Sequence, residues 1–589
     1  MKTFPQQLLA TLGAAGLLIL GPAAPMAVHA QARNLNDWAW VTRLGATTLP
    51  GSGNQQFPPS VDQPESLAAD AAGNVVIAGV YNPDVIFDSP AVRYQTSTGP
   101  AGPIDNSYVA KYNPNGSLLW SLDLTSTGDV HVRDLAVDAL GNIYVLGYYY
   151  QQFRINAVVA AVANTRTPHF LAKISPAGTL VWATTIEPDA LAPTTSLNLQ
   201  RLAVDAAGNS VVLGRFRGEV TINGTAFAGD ANKLHVLVMR YNPTGTPIDA
   251  FAGYVTAGAD IDLKFTGVAL AATREVYLGG YLSPAARVQF GSLPALTGPA
   301  TGNAAGFVVK FGNTGANWIT KTTGPGSQSV SALTIGPQNR CVVAGLVTGS
   351  AMGLGTQRLN TGNPAGTSGE DLFLARLAPD GTVEQLVGGG GRSSDIRGLA
   401  VGPQGEATIA VAGGLDWGNV RLPGAPWPAS ALAGLVRLDA SGVPQRGWQA
   451  GTALISTALA VDGFNQPILA GTCNSSSPYT FGTRQLTVPY AFNTVIARTG
   501  STLLSARQPA QVAGLEVYPN PARQVVEVRT ATMGLVQVQI FDAVGRRVCT
   551  QALVAGETRV TLAGLAPGSY TMLVAQGDAR GFRHLTVQP

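Results

Sequence analysis

The 589-residue chain has little charge and little cysteine for its length. Asp, Glu, Lys and Arg make up 12% of the residues, about half the usual share. A formal net charge of +3 argues against a protein that binds nucleic acid or a membrane surface, because both partners attract strongly basic proteins. The three cysteines, Cys341, Cys473 and Cys549, are too few and too far apart for a disulfide framework or a CxxC zinc site.

The patterns of disorder, coiled coil and collagen are absent too. Apolar residues reach 46% of the chain, which argues against disorder. Heptads are missing, and the glycines follow no period of three. Glycine and proline are abundant instead, with 70 and 38 residues. This composition favours many short strands joined by turns, and the length favours several domains or a repeat array.

The first 32 residues have the composition of a secretory signal peptide. Lys2 precedes an apolar run from Leu8 to Leu20, and small residues before Ala30 and Ala32 offer cleavage after either position. The apolar run is short for a bilayer, so we predict cleavage rather than a retained anchor. No later segment is long enough to cross a membrane as a helix, and we expect none in the mature chain.

Residues 33–500 contain an internal repeat. Each copy has an apolar strand, a turn and a second apolar strand ending in glycine, and the copies recur about every 66 residues. A second hairpin follows in each of the first six copies, with turns such as Asn113–Gly116. Four strands per copy predict the blades of a β-propeller with about seven blades. The glycines that mark the copies are Gly79, Gly147, Gly214, Gly280, Gly345, Gly413 and Gly471.

The two ends of the repeat region complement each other. The seventh copy stops at Gly500 without a fourth strand, and the segment 37–42 resembles the fourth strands around Trp120 and Trp182. Pairing of this N-terminal strand into the last blade would remove two exposed sheet edges. We therefore predict a closed propeller rather than an open solenoid.

The repeat motifs resemble those of the SBBP-type β-propeller repeat of extracellular bacterial proteins. The resemblance covers about residues 36–500 and rests on DxxGN followed by an apolar run and glycine, with a second motif that contains Pro-x-Gly and Trp. It is strongest in the first two copies. In later copies the Asp of DxxGN is replaced by Ala271, Gly336 and Gly402. The resemblance implies an extracellular propeller.

A basic residue recurs at one equivalent position in every copy. It could face an anionic ligand as a ring of charge, or it could support each blade. We predict the structural role, because a ligand site normally breaks the symmetry of a ring. Asp70, Asp138, Asp205 and Asp462 are likewise predicted to form turns rather than to bind calcium. The basic residues are Lys111, Lys173, Arg240, Lys310, Arg376, Arg437 and Arg498.

No motif predicts catalysis, a cofactor or a metal. His131, His169, His235 and His584 have no metal-ligand spacing, and neither a GxSxG elbow nor a phosphate-binding loop is present. Most aromatic residues in the segments between second and third strands are expected only to cover blade edges, but a recognition surface would also be placed in these loops. The residues concerned are Tyr148, Tyr149, Tyr150, Phe153, Trp417 and Trp427. If the protein were instead a polysaccharide hydrolase or lyase, paired carboxylates would be needed. The candidates are Asp84, Asp105, Glu187, Asp189, Asp230, Glu370 and Asp371.

Residues 501–514 have the composition of a linker, and residues 515–589 form a second domain. Alternation between Val536 and Ile540 predicts a small Ig-like β-sandwich. Three motifs in order resemble the type A sorting domain of type IX secretion. The resemblance implies recognition by outer-membrane export machinery, followed by removal during release or surface attachment. The motif residues are Tyr518, Pro519, Asn520, Pro521, Phe541, Gly545, Pro567, Gly568 and Tyr570.

These observations predict a secreted or cell-surface protein. We expect the propeller to bind an extracellular glycan or protein without catalysis, since no catalytic motif is present. A polysaccharide-acting enzyme and a structural component of a surface layer are the alternatives.

Overall fold

The computed structural model describes most of the chain from Trp38 onwards. The described residues are 38–45, 63–82, 84–88, 91–95, 98–99, 102–156, 158–162, 168–188, 195–258, 263–300, 303–361, 370–422, 432–473, 478–487, 493–500, 512, 514–531, 536–542, 547–554, 557–576 and 579–588. The predicted signal peptide and most of the predicted linker lie outside them.

Strands dominate this part of the chain, as the sequence predicts. The one helical element in the described residues is a 3-10 turn at Pro337–Asn339. The strands before the second domain are, in chain order, β1 (Trp38–Gly45), β2 (Gln63–Ala69), β3 (Val75–Tyr81), β4 (Asp84–Asp88), β5 (Ala91–Gln95), β6 (Thr98–Gly99), β7 (Gly102–Pro103), β8 (Asn106–Tyr112), β9 (Leu118–Thr125), β10 (Val130–Val137), β11 (Ile143–Tyr149), β12 (Gln152–Ile155), β13 (Val158–Val162), β14 (His169–Ile174), β15 (Leu180–Ile186), β16 (Ser196–Val204), β17 (Ser210–Arg217), β18 (Glu219–Ile222), β19 (Thr225–Ala228), β20 (His235–Tyr241), β21 (Pro247–Ala257), β22 (Leu263–Leu270), β23 (Val276–Leu282), β24 (Arg287–Phe290), β25 (Leu296–Thr297), β26 (Ala305–Phe311), β27 (Ala316–Thr323), β28 (Gln328–Ile335), β29 (Cys341–Val347), β30 (Ala351–Leu354), β31 (Gln357–Asn360), β32 (Asp371–Leu377), β33 (Val383–Val401), β34 (Ala407–Trp417), β35 (Val420–Leu422), β36 (Leu432–Leu438), β37 (Pro444–Val461), β38 (Pro467–Cys473), β39 (Pro478–Phe481), β40 (Arg484–Thr487) and β41 (Thr494–Thr499).

Each repeat supplies an antiparallel unit of four strands, which we number 1 to 7 within the described residues. From inner to outer strand, the units are β2-β3-β8-β9, β10-β11-β14-β15, β16-β17-β20-β21, β22-β23-β26-β27, β28-β29-β32-β33, β33-β34-β36-β37 and β37-β38-β41-β1. The long strands β33 and β37 each serve as the outer strand of one unit and the inner strand of the next.

Burial explains the position of each strand in its unit. The second and third strands of unit 1, β3 and β8, are buried at every position, because neighbouring units cover both faces. Such strands carry continuous apolar runs. The outer strand β9 alternates between buried and exposed residues, as expected for a strand with one face towards solvent.

The N-terminal strand completes unit 7. β1 pairs antiparallel with β41, with Trp40 opposite Arg498. An apolar cluster then joins unit 7 to unit 1 through Ile468 and Ile496 on one side and Val75 on the other. Comparable clusters join every other pair of successive units in the described residues. The inner strands of neighbouring units also contact each other, including β37 with β2. The units therefore form a closed, propeller-like ring.

Tryptophans of four outer strands fasten a unit to a turn of the next one. The indole N–H of Trp120 donates a hydrogen bond to the carbonyl oxygen of Pro176 at 3.0 Å. Trp182 and Trp318 make the equivalent bond, each with a proline carbonyl of the unit that follows its own. Trp40 of β1 makes it with Pro114 at 2.8 Å, so the same contact closes the ring.

In five of the seven units, the hairpin between the second and third strands extends the sheet of the preceding unit. β12 pairs with β9 of the preceding unit, and β24, β30, β39 and β4 pair with β21, β27, β37 and β1 in the same way. Each of these hairpins therefore adds strands to the outer edge of the sheet before it.

The second domain consists of two small antiparallel sheets around one core. Val526 and Val560 of one sheet and Ile540, Met572 and Val574 of the other belong to the same buried cluster. One sheet has the order β42-β43-β46 and the other β45-β44-β47-β48. Their strands are β42 (Glu516–Tyr518), β43 (Val525–Arg529), β44 (Val536–Phe541), β45 (Arg547–Leu553), β46 (Arg559–Thr561), β47 (Gly568–Gln576) and β48 (Ala579–Val587).

Candidate functional site: the inner strands of units 1 to 4

The repeated basic residues contact the ring itself. The ammonium group of Lys111 lies 3.0 Å from a carboxylate oxygen of Asp70 and donates to the carbonyl of Pro176 in the next unit. Lys310 pairs with Glu275 at 2.6 Å and donates to Pro379 of the next unit. These contacts join turns and neighbouring units.

The arginines at the same position make comparable contacts with different partners. Arg498 and Asp462 form a buried ion pair of 2.6 Å. Arg240 forms a two-point ion pair with Asp249, Arg376 donates to the carbonyl of Asp439, and Arg437 donates to that of Asn465. The side chain at this position therefore adapts to the acceptors that its own unit and the next unit supply.

The aspartates of the DxxGN turns accept local hydrogen bonds. Both the backbone and the side-chain nitrogens of Asn74 donate to Asp70, at 2.9 and 2.8 Å. Asp138 and Asp205 accept the same pair of bonds from Asn142 and Asn209. No group of three or more His, Cys, Asp or Glu side chains that could hold a metal ion occurs among the described residues.

The aromatic residues proposed for recognition are mostly inside the protein. Tyr149 and Phe153 are fully buried and Trp417 is nearly so. Phe153 lies on β12, which pairs with an outer strand, and the ring of Tyr149 at the end of β11 packs against it. Tyr148 and Tyr150 are half-buried. Trp427 lies outside the described residues. The hypothesis of a recognition surface is therefore wrong for Tyr149, Phe153 and Trp417.

The candidate carboxylates are spread over several units. Asp84 is buried beside Arg93 at 2.7 Å, and Asp230 lies 3.4 Å from Lys233. Asp371 is buried in unit 5, and burial raises the pKa of its neighbour Glu370. Glu187 follows β15, and Asp189 lies outside the described residues.

The candidate carboxylate residue Asp105 lies beside the His131 ring. Its carboxylate lies 3.3 Å from Nε2 of His131 and accepts a hydrogen bond from Asn82 at 2.8 Å. These bonds hold its pKa below the ordinary value, with that to His131 first among the causes. The His131 ring stacks on Tyr148 with centroids 5.0 Å apart. This places Asp105 next to the inner strand of unit 2.

A β-bulge interrupts every inner strand in the described ring. The bulge leaves one residue out of the pairing with the second strand, which re-aims its side chain. In six of the inner strands, this residue lies five positions before the first residue of the DxxGN-type motif. In unit 7 it lies six positions before that residue. The bulged residues, each of a polar type, are Glu65, Arg133, Gln200, Thr266, Ser331, Arg397 and Ser456.

The bulge also explains the glycine that ends each repeat motif. A Cβ atom on Gly345 would lie 2.0 Å from the carbonyl oxygen of Ser329, and one on Gly147 would lie 2.4 Å from that of His131. Only glycine allows the second strand to approach the bulged strand this closely. The repeat signature therefore records the backbone geometry at the inner strands.

Polar side chains accumulate near the bulges of units 1 to 4, and we call this set the axial cluster. Its members lie on inner strands or directly beside them on second strands. The axial cluster consists of Glu65, His131, Arg133, Tyr148, Asn198, Gln200, Arg201, Arg215, Lys264 and Tyr281. Sequence reasoning missed all of these residues except His131 and Tyr148. The available signal was a position that stays polar but changes identity from one repeat to the next.

A cavity of about 240 Å³ opens within the axial cluster. Glu65, Arg133, Asn198, Gln200 and Arg201 line it, and they come from three successive units. Burial raises the pKa of Glu65, while the positive charges of Arg133, His131 and Arg201 oppose this effect. The cavity therefore combines guanidinium, amide and carboxyl groups that can donate to and accept from a polar ligand.

Asp134 ties the units beneath this cavity together. Its carboxylate accepts hydrogen bonds from the Ser66 hydroxyl at 2.8 Å and from the Leu202 N–H at 2.9 Å, which belong to the units on either side. Burial raises the pKa of Asp134. The three inner strands are thus held in fixed positions.

The sorting motif residues lie on and around the sheets of the second domain. Asn520 accepts from the N–H of Thr586 and donates to the carbonyl of His584, so it fixes the entry segment against β48. The hydroxyl of Tyr570 donates to Ala566 at 2.7 Å. Tyr518 lies on β42 beneath the guanidinium of Arg529. Pro519 and Pro521 are exposed, Phe541 and Gly568 lie on strands, Pro567 precedes β47, and Gly545 lies outside the described residues.

Residues 516–588 match the family model of the secretion system C-terminal sorting domain. This match agrees with the type IX sorting motifs found in the sequence. The protein is therefore directed to secretion or to the cell surface, and interaction with the secretion machinery follows from the same domain. Within the described residues no helix is long and apolar enough to cross a membrane.

The chain is distantly similar to several known proteins. It is 28% identical over 131 residues to an uncharacterised WD repeat-containing protein of Acanthamoeba polyphaga mimivirus, a match over 20% of this chain and 9% of that protein. A catalytically inactive virginiamycin B lyase from Staphylococcus aureus, solved with quinupristin, is 11% identical with a TM-score of 0.35, over 78% of this chain and 99% of that one. A Dyadobacter fermentans protein of unknown function is 10% identical with a TM-score of 0.30, over 78% and 99%. The propeller-like arrangement rests on strand pairing within this chain.

Proposed function

We propose that the ring is a seven-bladed β-propeller that type IX secretion delivers outside the cell, where it binds an extracellular glycan or protein without catalysis. Strand pairing and the apolar clusters between units support the blade count. The Ig-like character of the second domain is supported by its two sheets around one core. Export of the ring as cargo rests on the sorting domain.

The observation that carries the binding function is the broken symmetry of the axial cluster. Units 2 to 4 place His131, Asn198 and Lys264 at the position two residues before the bulge. Unit 5 has only Ser329 there, although its backbone forms the same bulge. A residue that served the scaffold alone would recur in each unit. Variation at a fixed backbone position instead indicates a specialised surface.

An extracellular hydrolase or lyase is the second candidate. The pair of Asp105 and His131 favours it, because a histidine oriented by a carboxylate is a common general base. The cavity residue Glu65, with its raised pKa, could supply a proton.

A glycan and extracellular-matrix array tests both candidates with the mature protein. Every glycan that binds would also be assayed for release of reducing ends. Saturable binding without product supports the binding protein, while product formation would establish an enzyme. A His131→Gln variant separates the two further, because loss of product with retained binding indicates catalysis by this pair. Absence of both binding and product would support a structural role at the cell surface.

A further inference from the structure

Four cations of the axial cluster have no carboxylate partner. Arg133, Arg201, Arg215 and Lys264 lie on the inner or second strands of units 2 to 4, and none forms an ion pair within 4 Å among the described residues. The carboxylate of Glu65 interacts electrostatically with Arg133 and Arg201, and that of Asp134 interacts with Arg201.

Aromatic rings hold three of these cations instead. The Arg133 guanidinium lies 4.9 Å from the ring centre of Tyr148, and the Lys264 ammonium lies 5.7 Å from that of Tyr281. Arg215 lies 5.9 Å from the ring centre of Phe265. A ring orients a cation without neutralising its charge. The charge therefore stays available to an anionic ligand.

Arg215 has an unsatisfied donor as well. Its Nε atom is buried and has no hydrogen-bond partner in the described part of the chain. Burial also lowers the pKa of this guanidinium, since the charged form loses hydration. An anion bound nearby would offset both effects.

Among the described side chains, the opposite side of the ring lacks this surplus of positive charge. At the positions of Lys264 and Tyr281, unit 5 has Ser329 and Leu346. Unit 6 does have a bulged arginine, Arg397, but Asp395 pairs with it at 3.1 Å. The uncompensated cations are thus confined to three successive units.

We propose that the axial cluster binds an acidic polysaccharide through uronate carboxylates or sulfate esters. This inference rests on the proposed binding function and names its ligand class. Guanidinium groups bind carboxylate and sulfate through paired hydrogen bonds. Asn198, Gln200 and Glu65 in the same cavity provide donors and acceptors for sugar hydroxyls. An extended chain fits better than a single small anion, because the cations span three units.

Binding of the mature protein to four polymers tests the proposal. The probes are polygalacturonate, which carries carboxylates, chondroitin sulfate, which adds sulfate, dextran, which is neutral, and poly-glutamate, an acidic peptide. We expect polygalacturonate or chondroitin sulfate to bind at least about tenfold more tightly than dextran and poly-glutamate, with affinity that falls as salt rises. The ratio of the affinities for these two acidic glycans shows whether carboxylate or sulfate is preferred.

Substitutions locate the site. Arg133→Gln and Lys264→Gln should each weaken binding by roughly tenfold, the effect of losing one charge-assisted hydrogen bond. Arg397→Gln is the matched control, because it removes an arginine at the same strand position whose charge is already paired. Unchanged tryptophan fluorescence would show that each variant is folded.

Three results would overturn the proposal. Binding of acidic glycans no tighter than that of dextran would refute it, and so would an equal loss of affinity in Arg397→Gln. Preference for poly-glutamate would reassign the site to an acidic protein. In each case, binding to any other array component would leave the proposed binding function standing. If no component of the array bound either, the proposed ligand class and the proposed binding function would both be refuted.

Discussion

His169 makes the ring sensitive to acid. This residue of β14 is 5% exposed, and its Nε2 accepts a hydrogen bond from the N–H of Leu199 at 3.1 Å. The bond joins unit 2 to the inner strand of unit 3. Burial lowers the pKa of His169 from 6.5 to about 4, and the charge of Arg133 contributes in the same direction. A proton on Nε2 would also remove the acceptor.

The direction and size of the pH effect on stability follow from the linkage between proton binding and folding. Below pH 6.5 the histidine of the unfolded chain binds a proton that the folded ring excludes, so the free energy of unfolding falls as the pH falls towards 4. The whole difference corresponds to about 3 kcal/mol, and about 2 kcal/mol of it is lost by pH 5. Above pH 7 the contribution is fully present.

Urea unfolding of wild type and His169→Gln measures this contribution. Glutamine stays uncharged at every pH and offers an oxygen to the N–H of Leu199. All eight tryptophans lie between Trp38 and Trp448, so their fluorescence reports unfolding of the ring even in the full chain. We expect the wild type to lose about 2 kcal/mol more than the variant between pH 7.5 and pH 5.

Parallel loss of stability in the two proteins would refute this reasoning. The change in one protein alone is not informative, because Glu65, Asp134 and other groups also titrate in acid. The difference between the proteins cancels these shared contributions. His584→Gln, in the second domain, is the control that should follow the wild type at both pH values.

Three further predictions concern the scaffold and export. Gly345→Ala places a Cβ 2.0 Å from the Ser329 carbonyl oxygen, so the free energy of unfolding of the ring in urea should fall by about 1–3 kcal/mol. Gly390→Ala is the control, because the nearest contact of its Cβ would be 3.5 Å away, and it should leave the urea midpoint nearly unchanged. Truncation through residue 45 removes β1 and exposes the edge of β41, so light scattering should detect self-association that truncation through residue 36 does not cause. Deletion of residues 515–589 should retain the protein inside the cell envelope, and cell fractionation showing normal release would contradict the role of the sorting domain.

Much of the scaffold can be predicted from sequence because backbone requirements repeat. The glycine that ends each repeat motif is needed wherever the second strand approaches a bulge, as at Gly147 and Gly345. The missing strand of unit 7 was also visible, since an unpaired sheet edge is costly and Trp40 matches its counterparts Trp120 and Trp182. Features that every unit needs appear several times in one chain and so stand out from background.

The site and the hairpins could not be predicted in this way. Tyr149 and Phe153 have the composition of a recognition surface, but pairing of β12 with the preceding unit buries them. That pairing lies between units and leaves no local pattern in the sequence. The bulged residues Arg133 and Gln200 were missed for the opposite reason, because a binding surface differs between units and repeat analysis discards what differs.

The hairpins that extend the sheet of the preceding unit affect how the ring unfolds. In an open array each repeat contacts only its neighbours, and the ends can fray one repeat at a time. Here β12 extends the sheet of β9, β4 extends that of β1, and the ring has no end. Loss of any of the five repeats with such a hairpin would therefore remove strands from a second sheet and open the ring at the same time. Such coupling favours cooperative, all-or-none unfolding, which would leave few partly open forms for proteases outside the cell to cut.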